Sequence, residues 1–147
     1  MGRNYTFRMV SIRLVTWEEA RPEASRIRFA VFVDEQQVPA EIELDEHDPH
    51  CIHALAADSS GKVVGTGRLL PDGHIGRMAV SREARGQGVG GAILEALAER
   101  ARQRGDLEVV LNAQVQAMDF YRAHGFVEEG PEFDDAGIPH RAMRRRF

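Results

Sequence analysis

Arg85-Gly86-Gln87-Gly88-Val89-Gly90 is the stretch of this 147-residue chain whose residue types and spacing most directly imply chemistry. It follows the apolar run Ile75-Gly76-Arg77-Met78-Ala79-Val80 and opens an alanine- and leucine-rich segment, residues 91–104. A strand, a glycine loop and a helix start, in that order, build an anion cradle. Backbone N–H groups at a helix N-terminus have no intrahelical partner and point forward, and the helix dipole adds partial positive charge there. Glycines let a phosphate approach the backbone without meeting a Cβ. The ligand this predicts is a nucleotide-type molecule carrying a pyrophosphate.

Three cradles compete for the segment. A Walker loop requires Lys followed by Ser or Thr after the last glycine, whereas Gly90 is followed by Gly91 and Ala92. The dinucleotide pattern G-x-G-x-x-G is met by Gly86, Gly88 and Gly91, with Glu108 as the acidic residue downstream. In that fold, however, the first glycine stands directly at the strand end, early in a large doubly wound domain. Here Ser81-Arg82-Glu83-Ala84-Arg85 intervene, and too few residues follow Gly91 to complete such a domain.

The third reading takes in far more of the sequence. Arg85-x-x-Gly88-x-Gly90 resembles the Q/R-x-x-G-x-G/A loop of the GCN5-related N-acetyltransferases (the GNAT family), which holds the pyrophosphate of acetyl-coenzyme A. Met78-Ala79-Val80 resembles the strand that precedes the loop, and Asn112 stands where the next strand is expected to end. Ala117-Met118-Asp119-Phe120-Tyr121-Arg122-Ala123-His124-Gly125-Phe126 resembles the signature A-x-x-F-Y-x-x-x-G-F. The resemblance covers roughly residues 10–147. The N-terminal half, with Val31-Phe32-Val33-Asp34-Glu35-Gln36 and Glu43-Leu44-Asp45-Glu46-His47-Asp48, resembles a bacterial branch of poorly assigned substrate.

The resemblance implies an N-acetyltransferase in which a primary amine attacks the acetyl-CoA thioester directly, with no metal and no covalent intermediate. The backbone amides of Gln87, Gly88, Val89 and Gly90 would hold the pyrophosphate, with Gly86 in the loop and Arg85 adding charge. Met78, Ala79 and Val80 would run along the pantetheine arm, and Phe120 counts with the cofactor-contacting residues. Asn112 either bonds the pantetheine or is an ordinary polar strand terminus. Tyr121 is the candidate general acid, since a phenol with a pKa of about 10 can donate to a departing thiolate. The general base stays open among Glu35, Asp45, Glu46, Asp48 and His140, with bulk water as a further acceptor. The acidic run, base aside, would suit a cationic substrate. The alternative reading is a non-catalytic acyl-CoA-binding sensor or interaction module.

The elements that must position these groups are legible from periodicity. Residues 11–16 alternate as a strand does, and Trp17 opens a helix with Ala24, Ile27, Ala30 and Val31 on its apolar stripe. A loop at residues 39–50 leads to strands at Ile52–Ala57, residues 63–70 and Ile75–Val80, joined by Asp58-Ser59-Ser60-Gly61 and Pro71-Asp72-Gly73. In the helix after the cradle, Ile93, Leu94, Leu97, Ala98 and Ala101 form the buried face, and Gly105 ends it. Residues 107–111 read as a buried parallel strand, 116–124 as a short helix, 131–139 as a loop and 140–147 as a last antiparallel strand. The fold class is therefore α/β, of the mixed-sheet α+β kind. The family resemblance implies the GNAT layout for it, a mostly antiparallel twisted sheet with one splayed parallel pair and helices on both faces.

Composition bounds the rest. The length suits one domain spanning residues 1–147, with residues 1–9 as a flexible N-terminus and Met9 as an alternative start. Met1-Gly2-Arg3-Asn4-Tyr5-Thr6 matches a myristoylation pattern, set against a plain frayed terminus. A net charge of −4 argues against general nucleic-acid binding. Arg141, Arg144, Arg145 and Arg146 read as a solvated strand that could attract an anion. A single cysteine, Cys51, permits no internal disulfide and suits a reducing cytoplasm. No apolar run is long enough to span a bilayer, and no secretory segment is evident. His47, His50 and His53, with Asp45, Asp48 and Cys51, fit no standard zinc spacing. The expected partner is a small-molecule or peptide amine, and monomer and homodimer both stay open.

Overall fold

A computed structural model describes residues 4–7, 10–40 and 45–147. Met9 as a start, Met1, Gly2 and Arg3 of the myristoylation pattern, and Glu43 and Leu44 of the acidic run lie outside the described residues. In chain order the strands are β1 (Asn4–Phe7), β2 (Val10–Val15), β3 (Ile52–Ala57), β4 (Val63–Leu69), β5 (Ile75–Val80), β6 (Glu108–Gln114), β7 (Val127–Asp135) and β8 (Ile138–Arg146). The α-helices are α1 (Trp17–Arg28), α2 (Val89–Gln103) and α3 (Met118–Ala123). Among the described residues, the strands form an antiparallel meander β1-β2-β3-β4-β5 and a second sheet ordered β6-β8-β7.

The two sheets meet where β5 runs parallel to β6. A bridge between His74 and Val110 joins the strands at their starts, and the Val110 amide donates to the Gly73 carbonyl at 3.1 Å. Beyond it β6 keeps its pairing with β8, and among the described residues no further bridge to β5 follows. The strands splay because the β5–α2–β6 crossover is pinned at one end only.

The helix after the cradle buries the face its periodicity predicts. Ala54 and Ala56 of β3 face the main core with Ile93, Leu94 and Leu97 of α2, while Leu55 between them packs with Ala20 and Ala24 of α1. This is the strand alternation expected of a sheet covered on both faces. Gly65 and Gly67 of β4 set the depth of α2. A Cβ on Gly67 would lie 2.8 Å from Ile93 and 3.1 Å from Leu97, so the helix seats directly on β4 backbone.

Several sequence expectations change. Residues 4–7 pair with Val10–Arg13 as an edge strand instead of fraying. The α1 stripe keeps Ala24, Ile27 and Val31 buried but exposes Ala30, because the α-helix gives way to a π-helical segment, Phe29–Glu35, which re-phases the faces. Residues 107–111 are not a wholly buried run. Leu107 is 83% exposed, and β6 alternates buried and open positions through Gln114. The 131–139 loop is instead a long β7–β8 hairpin turning at Ala136-Gly137, both at positive φ as a tight hairpin turn requires. On β8, Arg144 pairs with Glu129 and Glu108, and Arg145 with Glu95, so carboxylates face the basic cluster. No described helix is long and apolar enough to cross a membrane.

Candidate active site

The cradle forms at the end of β5. Gly86 and Gly88 have φ of +76° and +82°, in the left-handed region that favours glycine. Gly88 is the N-cap of α2, and among the described residues no side chain caps that helix. The amides of its first turn therefore point into a recess of about 280 Å³, lined by Val80, Arg85, Gly88 and Phe120 among others. A Cβ added at Gly86 or Gly88 would meet nothing within 4 Å, so both face open space. This arrangement fits a pyrophosphate, with one qualification. Arg85 is already engaged: its Nε donates to the Val80 carbonyl at 3.0 Å, and its Nη2 lies 2.7 Å from Glu35 Oε1.

A cleft of about 680 Å³ opens where β5 and β6 part. β5 contributes Gly76, Arg77 and Met78, and β6 contributes Leu111, Asn112 and Gln114. Tyr121, His140, Phe32 and Gln36 line it as well. β5 thus orders the site, with Val80 at the recess and Met78, Arg77 and Gly76 successively further from the glycine loop. Asn112 faces the cleft within the strand and is not its terminus, since β6 runs on to Gln114. The Gln114 amide donates to Gln36 Oε1 at 2.9 Å, linking β6 to the π-helical segment.

Tyr121 sits in an aromatic corner, 5.0 Å from Phe120 and 6.1 Å from Phe126 between ring centroids. Burial pushes its phenol above the ordinary tyrosine value, so the hydroxyl stays protonated through the neutral range. His140 is buried, with Nδ1 2.7 Å from the Ile138 carbonyl oxygen. A carbonyl can only accept, so Nδ1 donates to it, which leaves Nε2 as the acceptor in the neutral ring.

The carboxylates proposed as bases lie elsewhere. Glu35 turns to Arg85 and does not line the cleft, and Glu46 is exposed at the surface outside it. Asp48 is 1% exposed, paired with Arg28 at 3.0 Å and Arg68 at 2.8 Å. Asp45 accepts from Arg68 at 2.7 Å and Arg77 at 3.1 Å. Burial alone would raise both carboxyls, but the arginine hydrogen bonds and charges outweigh it and hold them below the ordinary range. Asp45 and Asp48 are thus engaged by arginines, and neither they nor Glu46 line the cleft. Burial also pushes the Cys51 thiol up to about 11, and its Sγ donates to the His47 carbonyl. Among the described residues no group of His, Cys, Asp and Glu is arranged to hold a metal.

Two features escaped the sequence reading. β4 and β5 slip register between Thr66–Ala79 and Arg68–Gly76, so Arg77 and Met78 both stand opposite Gly67. Arg77 adopts φ +49° at this bulge. Glycines inside both strands, Gly67 and Gly76, were the available signal. The second is the buried Arg28–Asp48–Arg68–Asp45 network, which joins residues far apart in sequence.

The sequence profile of the acetyltransferase (GNAT) domain matches residues 18–147. The chain belongs to the GNAT family. An N-acetyltransferase of Bacillus subtilis named YjcF, itself uncharacterised, is 43% identical over 132 residues, covering 87% of this chain and 94% of that protein. Among solved structures, an acyl-CoA N-acyltransferase from Pseudomonas aeruginosa superposes with a TM-score of 0.79 at 31% identity, covering 92% of this chain and 97% of that one. Escherichia coli ElaA superposes with a TM-score of 0.81 at 28% identity, covering 94% and 100%. The GNAT fold expected from the sequence is therefore the observed one, and the protein is an acyltransferase enzyme of a family that uses acetyl-CoA as co-substrate.

Proposed function

We propose that this GNAT enzyme transfers an acetyl group to a primary amine by direct attack, with Tyr121 as general acid and His140 as general base. Acetyl-CoA supplies the thioester carbonyl that the amine attacks. The observation that carries the reading is that Tyr121 and His140 line one cleft, while β5, which lines that cleft through Met78, ends in Val80 at the glycine recess.

The chain's own groups divide the work. The amides of Gln87, Gly88, Val89 and Gly90 bind the pyrophosphate in charge-assisted hydrogen bonds. Arg85 adds positive charge once it releases or shares Glu35. Met78, Ala79 and Val80 offer main-chain groups along the pantetheine arm. The bulge leaves one residue of the Arg77–Met78 pair outside the β4 ladder, which supports a backbone donor aimed at the carbonyl oxygen. Asn112 reaches the arm from β6, and Phe120 walls the recess. His140 Nε2 accepts the amine proton, and the Tyr121 hydroxyl gives its proton to the departing sulfur.

Calorimetric titration with acetyl-CoA, followed by thiol-release assays across an amine panel, tests this. Saturable binding that fails in Gly88→Glu, with turnover of at least one amine, is the expected result. Binding without turnover of any amine would instead favour an acyl-CoA sensor, and absence of binding would overturn the cradle.

A further inference from the structure

We propose that Phe133 is a positioning residue for acetyl transfer, holding the His140 imidazole in the orientation that presents Nε2 to the acceptor amine. This deepens the acetyl-transfer reading and rests on its assignment of His140 as the base.

A bulge puts Phe133 in place. β7 and β8 pair Glu129 with Ala142 and Phe133 with His140, so three residues of β7 face one of β8 between those rungs. Without the two extra residues, the register from Glu129 would set Pro131 opposite His140. Gly130, at φ +73°, and Pro131, which has no N–H to give the ladder, make the interruption. Arg141 secures it, with Nε donating to the Gly130 carbonyl at 2.9 Å. Bulges beside active sites re-aim side chains, and the one re-aimed here is the Phe133 ring.

Two contacts then hold the imidazole. Nδ1 lies 2.7 Å from the Ile138 carbonyl oxygen, and the Phe133 ring stacks on the imidazole with centroids 6.0 Å apart and planes at 24°. The hydrogen bond fixes one atom and leaves a broad, soft ring torsion. The stack restrains the plane. Gln114 stands opposite His140 on β6, but its amide is engaged elsewhere: Nε2 donates to Gln36, and Oε1 accepts from Gln116 at 2.6 Å. A base must stay within hydrogen-bond reach of the proton it takes. A swing that broke the Ile138 bond would also release the Nδ1 proton from its acceptor. The ring could then carry its proton on Nε2, and in that tautomer Nε2 cannot accept from the amine.

The test pairs a readout that needs no turnover with one that does. Nitrogen-15 NMR of the His140 side chain reads the tautomer at about pH 8.5, above the ordinary histidine value of about 6.5. Wild type should show one tautomer, with the proton on Nδ1. Phe133→Leu, which keeps an apolar side chain but no ring, should show a mixture. It should also lower kcat by about tenfold or more, the scale on which misplaced catalytic groups are felt, with acetyl-CoA affinity unchanged. Phe133→Tyr should restore both. Val127→Ala, at an exposed position of the same strand, controls for loosening of the hairpin and should match wild type. A single tautomer in Phe133→Leu overturns the proposal, as does equal mixing in Val127→Ala. So does an unchanged kcat in Phe133→Leu when His140→Gln is impaired. Full activity in His140→Gln would instead overturn the parent reading of His140 as base. If no amine turns over, the tautomer alone decides whether Phe133 sets the ring: mixing upholds it, and a single tautomer rejects it.

Discussion

Glu35 Oε1 lies 2.7 Å from Arg85 Nη2, so the cationic side chain at the mouth of the cradle is held by a carboxylate brought from the N-terminal half of the chain. The π-helical segment after α1 delivers Glu35, and Arg85 is anchored at Nε by the Val80 carbonyl. The carboxylate repels an incoming pyrophosphate while competing for the same guanidinium. Part-exposed ion pairs of this kind are worth about 0.2–1 kcal/mol. Glu35→Gln should therefore tighten acetyl-CoA binding by about two- to fivefold, with the gain shrinking at high salt. A large fall in kcat with unchanged affinity would return Glu35 to the list of bases.

Gly88 combines a φ of +82° with open space where a Cβ would project. Gly88→Ala should cost about 1–2 kcal/mol of stability from the left-handed backbone and place a methyl group at the mouth of the recess. The expected outcome is a lower thermal midpoint together with weakened acetyl-CoA binding by calorimetry. Gly61 is the control, because it shares positive φ and open space but lies in the β3–β4 turn. Gly61→Ala should lower stability and leave the affinity alone.

Tyr121→Phe and His140→Gln test the acid and the base. Each is expected to lower turnover by about 10²-fold or more, the usual scale of a general acid or base, while acetyl-CoA affinity stays near wild type. His140→Gln turning over at close to the wild-type rate would remove His140 from the role, and the same result in Tyr121→Phe would remove Tyr121.

Asp48 links α1 to β4 through Arg28 and Arg68. Removing one partner of a buried ion pair costs about 3–5 kcal/mol, so Asp48→Asn should be strongly destabilised at pH 7 in urea denaturation. The arginines hold the folded-state pKa of Asp48 below its unfolded value of about 3.9. The unfolded chain then takes up the proton first as pH falls, and the stabilisation is present above about pH 4 and lost below it. The gap between wild type and Asp48→Asn should narrow as the pH drops from 4 toward 2.5. His53, whose pKa burial lowers, adds an earlier decline starting near 6.5 in both proteins. A gap that stays constant down to pH 2.5 would show that Asp48 acts by packing and not by charge.

The sequence by itself determined the cradle, the order of strands and helices around it, and the family, because these depend on local signals. Alternating glycines before an apolar helix, period-2 strands and the Ala117-to-Phe126 signature are each read within about a dozen residues. Tertiary structure decided what those signals could not. Whether Asp45 and Asp48 were free bases or salt-bridge partners turned on Arg28, Arg68 and Arg77, which lie 20–32 residues from the carboxylates they pair with and meet them only when α1, β4 and β5 pack together. Asn112 read as a strand end because the partner that extends β6 to Gln114 is β8, the last strand of the chain. Glu35 and His140 looked alike as candidates until folding turned one toward Arg85 and the other into the cleft beside Tyr121. Charge and hydrogen bonding act through distances in space, and sequence separation does not encode them.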